Sequence, residues 1–150
     1  MLLKNELAEV AQLIDQANKK NIKVSDKSID WHLDHLLKVI INVSKVLKKS
    51  NPSDYSSNFN FIRSVIFILN FIPRGKGKAP RSVHPPDNIT KEDLLKQLEG
   101  AKQQINNIKD LHSKSNFKHP YFGLLNLKQT VKFLNLHTVH HLKICRDINK

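Results

Sequence analysis

The sequence predicts an all-α protein, a helical bundle with about five helices in total, and three observations make the helical class. Apolar residues recur at three- and four-residue steps over long segments, which is the period of amphipathic helices. Only four glycines and six prolines occur in 150 residues, too few for a turn-rich β-sandwich. Four of the prolines and two of the glycines are gathered in one stretch, 73–88, which leaves few breakers for the remaining segments. At this length the chain reads as a single domain, residues 1–150, able to bury a core.

The first helix is expected from about Lys4 to Asn18, with Leu7, Val10, Ala11, Ile14 and Ala17 inward. Ser25 and Ser28 are both N-cap residue types for a second helix over Ser28 to Lys49, striped by Ile29, Leu33, Leu36, Ile40, Val43 and Leu47. Asn51-Pro52-Ser53-Asp54 breaks the chain. A third helix, about Asn58 to Phe71, is apolar around much of its circumference and is expected in the middle of the bundle. Pro73 stops it, and 73–88 forms one long Pro/Gly/basic loop. Thr90 caps a fourth helix that runs to about Leu111, with Leu94, Leu95, Leu98, Ala101, Ile105 and Ile108 inward. Asn116 to Gly123 is a connection with a compact turn, and Asn126 caps the last helix, Leu127 to Ile148.

Cys145 is the single cysteine, so an internal disulfide framework is excluded. No run of about 18 apolar residues occurs, so no membrane helix is expected. The opening MLLKNELAEV carries acids where a signal peptide needs an apolar core, so a cytoplasmic location is expected. The formal charge of +12 raises nucleic acid, a membrane surface or anionic small molecules as partners. Lysines such as Lys38, Lys45, Lys96, Lys102 and Lys132 are spread over helix faces without a nucleic-acid motif. The expectation is therefore a small-molecule partner of anionic character, no nucleic acid and no membrane, with a homodimer compatible.

The last helix carries His137-Thr138-Val139-His140-His141. His137 and His141 fall on its apolar face one turn apart, about 6 Å, near enough to bind one metal ion. The same pair is also compatible with a helix whose core histidines are hydrogen-bonded to backbone or water. A third ligand would decide. The second helix offers two, in Trp31-His32-Leu33-Asp34-His35. Helical geometry places His32 deeper and His35 nearer the boundary, while Asp34 reads as a surface charge.

Three segments together carry a family resemblance: Ser28-Ile29-Asp30-Trp31-His32-Leu33-Asp34-His35-Leu36, His119-Pro120-Tyr121-Phe122-Gly123-Leu124-Leu125 and His137-Thr138-Val139-His140-His141-Leu142. They resemble the DinB/YfiT-like metalloprotein superfamily, and more closely a DinB-like branch of unknown function, over roughly residues 25–148. The resemblance implies a four-helix bundle that holds a divalent metal, nickel or zinc, through His35, His137 and His141. It further implies a thiol-dependent transferase or a hydrolase, with a low-molecular-weight thiol as a second cofactor. One departure bears on substrate handling: many relatives follow the histidine pair with Arg or Gly and then Gln, whereas Leu142-Lys143-Ile144 stands here.

Three neutral imidazoles would leave a coordination position open, as catalytic zinc sites do. In the loop, Arg74, Lys76, Lys78 and Arg81 with two glycines are candidates to bind an anionic substrate. They lack the Walker spacing, so a nucleotide P-loop is excluded. Trp31, His32, His119 and His140 are candidates for the border of the site; Cys145 reads as a small core residue, and His84 and His112 as surface residues. The rival reading is a non-enzymatic basic bundle that binds anions or nucleic acid, its histidines structural.

Overall fold

The computed structural model describes residues 2–75 and 80–150 and is predominantly helical. Its helices are α1 (Lys4–Leu13), α2 (Ile29–Lys49), α3 (Phe61–Leu69), α4 (Lys91–Ile108) and α5 (Leu127–Asn149). Strands β1 (Asn116–His119) and β2 (Gly123–Asn126) lie between α4 and α5 in the chain. The helix α2 is the hub, packing most extensively on α4 and next on α5. Its stripe of Ile29, Leu33, Leu36, Ile40 and Leu47 is fully buried, so the three- to four-residue period is cashed out as core.

Local chemistry sets the element ends. Thr90 caps α4 reciprocally with Asp93, and Asn126 caps α5 reciprocally with Gln129, which satisfies amides that have no helical partner. Ser28 sits at the start of α2 but turns its hydroxyl to the Asp30 carboxylate instead of an amide. On α1 the inward residues are Leu7, Val10 and Leu13, while Ala11 is exposed. The turn Ile14–Gln16 continues α1 as a tighter helix.

Two expectations are corrected. The all-α class gains a small antiparallel sheet where a compact turn was expected, with Phe117 opposite Leu125 and His119 opposite Gly123. Strands of four residues are too short for a two-residue alternation to stand out against helical periodicity. The hairpin is fixed by burial of Phe122 and Leu125 and by Gly123, whose φ of 71° favours glycine. A Cβ there would also lie 3.1 Å from Asn58 Oδ1.

The second correction concerns α3. It lies at the edge of the molecule, not in its middle, and its one fully buried residue is Arg63, 6% exposed. The Arg63 guanidinium donates to the carbonyls of Phe122 and Leu124, to Asn58 Oδ1 at 3.0 Å and to the Asn58 carbonyl. Asn58 and Asn60 add bonds to the carbonyls of Leu124 and Tyr121. The hairpin's unpaired carbonyls thus select a polar residue for the inner side of an otherwise apolar helix. Composition alone, which reports how apolar α3 is, does not reveal which side is inward.

Replacing Arg63 with Ala is expected to lower stability by about 2–4 kcal/mol, because several buried acceptors lose their donor at once. Urea unfolding checks this, and a change under about 0.5 kcal/mol, the range of ordinary surface substitutions, would contradict the anchoring role.

Candidate metal centre

Packing of α2 against α5 brings the two histidine-bearing segments face to face. One nitrogen from each of His35, His137 and His141 lies within 4.8 Å of the others. His35 Nε2 and His137 Nε2 are 3.3 Å apart, close to the edge of a tetrahedron of nitrogens about 2.0–2.1 Å from zinc. The ring centroids of His35, His137 and His141 are 4.6–5.1 Å apart pairwise. His35 is only 4% exposed, so the sequence expectation that it sits nearer the boundary than His32, also 4%, is corrected.

The outward nitrogens of His35 and His141 are already committed. His35 Nδ1–H donates to the Val83 carbonyl at 2.9 Å, which leaves Nε2 with its lone pair inward. His141 Nδ1 is 3.0 Å from His32 Nδ1, and His32 Nε2 is 3.1 Å from Ser25 Oγ. One proton arrangement satisfies this chain with His141 Nε2 unprotonated: His141 Nδ1–H donates to His32, and His32 Nε2–H donates to Ser25. His32 is therefore deep, as helical geometry predicts, yet it stands behind a member of the trio. His137 Nδ1 is buried without a hydrogen-bond partner.

Burial is the first cause of depressed basicity throughout. It holds His137 and His141 well below the ordinary histidine range, with neighbouring imidazoles adding to it. It lowers His35 and His140 as well, and pushes His32 down to about 4. The trio is thus neutral near pH 7, the form that donates to metals. Between His35 Nε2 and His137 Nε2, 3.3 Å apart, either a His137 Nε2–H donates or a cation takes both lone pairs.

The surroundings are mostly aromatic. Trp31 stacks on His35, centroids 5.2 Å apart, and borders a cleft with His84, Pro85 and Asp87. His140 donates to the Ile72 carbonyl and sets its ring edge-on to His141. His119 lies one layer out: its Nδ1 accepts the amides of Tyr121 and Phe122, and Phe133 separates it from His137. Cys145 is buried and its thiol is pushed up to about 12 by burial, the core role expected.

Asp34 corrects its reading as a surface charge: it is 1% exposed, with Gln97 donating at 2.6 Å and Lys38 beside it. Arg74 pairs with Asp147 at 2.7 Å, Arg81 is exposed, and Lys76 and Lys78 lie outside the described residues. What the sequence reading missed is backbone: Asn42, Lys38 and His35 of α2 donate to the carbonyls of Ser82, His84 and Val83. Ser25 carries a side-chain signal, but it reads there as a cap.

Fold and site together define a helical protein with a trio of buried, neutral histidines spaced to hold a metal ion. Compared with protein-family models, with curated proteins and with solved structures, the chain matches none of them. Among the described residues no helix is long and apolar enough to cross a membrane.

Acid should destabilise the metal-free protein. His32 and His119 resist protonation when folded, at about 4, whereas unfolded histidines titrate near 6.5. Between those values the unfolded chain binds more protons, so stability is full above about pH 6.5 and falls as pH drops toward 4. Urea midpoints at pH 7.5, 6 and 5 should decrease in that order; equal midpoints would contradict the burial of neutral imidazoles.

Proposed function

We propose that this chain is a divalent-metal protein of the DinB/YfiT-like kind, in which His35, His137 and His141 hold one nickel or zinc ion for thiol-dependent transfer or hydrolysis of a small anionic substrate. The observation that carries the reading is the convergence of three imidazole nitrogens within 4.8 Å. The resemblance of the three histidine-bearing segments supports the choice of superfamily and reaction.

A divalent ion bound there would supply a Lewis acid with an open position for a thiol or substrate. The chain's own residues supply orientation. Val83 and Trp31 fix the ring of His35 from two sides, and His32, bonded in turn to Ser25, offers His141 an acceptor for an Nδ1–H. Such outer partners hold ligands in the metal-binding form. The nearby carboxylate of Asp34 is engaged by Gln97 and Lys38, so it is not assigned as a base. Anion recognition falls to Arg74, Lys76, Lys78 and Arg81, where a substrate carboxylate would compete with Asp147 for Arg74.

Elemental analysis of the full chain, purified without a metal-affinity tag, should find about one nickel or zinc per chain, as a mononuclear site requires. His35→Ala, His137→Ala and His141→Ala should each abolish tight binding. His32→Ala should keep the stoichiometry and weaken affinity about 10- to 100-fold. A folded, metal-free chain that takes up neither added nickel nor added zinc would sink the reading and favour structural histidines in a basic bundle.

A further inference from the structure

The helix α3 is built inside out. Phe61, Ile62, Val65, Ile68 and Leu69 lie on one face by their helical spacing, and all but Val65 are exposed, Ile68 at 81%. Phe59, 82% exposed, and Phe71 extend that face at its two ends. The opposite side holds Arg63, clamped by the hairpin carbonyls, with Phe67 against Phe122. A contiguous apolar face of this size on a rigidly anchored helix is a docking surface.

We propose that a second copy of this chain covers the α3 face, joining two chains in a symmetric dimer. Charge points to this occupant. The chain carries +12, yet from Tyr55 to Pro73 its only charged residue is Arg63, which is buried. Two copies can therefore meet here without bringing like charges into the contact. An anionic lipid surface would select cations beside the apolar stripe of the helix; α3 itself exposes none, and Lys132, over the Phe67 ring, lies on its hairpin side. Size agrees as well. Taking roughly 150–250 Å² for a fully accessible aromatic side chain, the six residues at least half exposed offer on the order of 700 Å². A standard interface takes about 800 Å² from each partner. In a twofold contact each residue is used twice, so one substitution acts on both chains.

Sedimentation equilibrium of the full chain between about 1 and 100 μM, the range where interfaces of this size begin to associate, tests the proposal. A dimer is expected, and it should tighten from 50 to 500 mM salt as repulsion between the two cationic chains is screened. Ile68→Glu should weaken dimerisation at least about 100-fold, with metal content and helical circular dichroism unchanged. Should that variant misfold, amide exchange of the unaltered chain decides: residues 61–69 should gain protection on concentration. A chain that stays monomeric at 100 μM overturns the proposal, as does a dimer that Ile68→Glu leaves intact. So does binding of a monomer to phosphatidylglycerol vesicles that is lost with salt, which would give the face to lipid.

Discussion

Two imidazole nitrogens, His35 Nε2 and His137 Nε2, face each other across 3.3 Å. This is the constraint on which the site depends. Neither ring can turn away cheaply. His35 would give up the Val83 carbonyl and its stack on Trp31, and His137 is held between Phe133 and His141. Burial keeps both bases weak, so neither ring takes up a second proton near neutral pH, and the contact is met by a His137 Nε2–H donating to His35 or by a cation that takes both lone pairs. His141 adds a third nitrogen on the same side, which a cation can use and a single N–H cannot.

The scaffold follows from that requirement. The two longest helices, α2 of 21 residues and α5 of 23, provide rigid backbones for the ligands. The fully buried stripe of α2 fixes its rotation, and with it the direction of His32 and His35. The end of the long loop is strapped to α2 by three side-chain bonds to its carbonyls. Irregular chain thereby becomes part of the histidine site, which accounts for a loop longer than the bundle's connections need.

Much of this was legible in the residues. The spacing of α2 and α5 showed which histidines share a face, and Thr90 and Asn126 marked the helix starts where the structure has them. The choice between His32 and His35 was not legible from the wheel, because both are buried equally. What separates them is which ring nitrogen meets which partner, a property of tertiary packing. Val83 acts through its carbonyl, so its side chain carries no signal. Asp34 looked like a surface charge because its partner Gln97 is 63 residues away in α4. Apolar composition does not reveal the position of α3, because the inward side is set by the hairpin's need for a donor, which Arg63 meets.

The central claim is that the three inward nitrogens share one metal ion. X-ray absorption at the zinc edge of zinc-loaded protein addresses it most directly. The expected spectrum shows three imidazoles at about 2.0–2.1 Å with an oxygen donor completing the shell. A sulfur scatterer at about 2.3 Å, or fewer than three imidazoles, would contradict a site made by His35, His137 and His141.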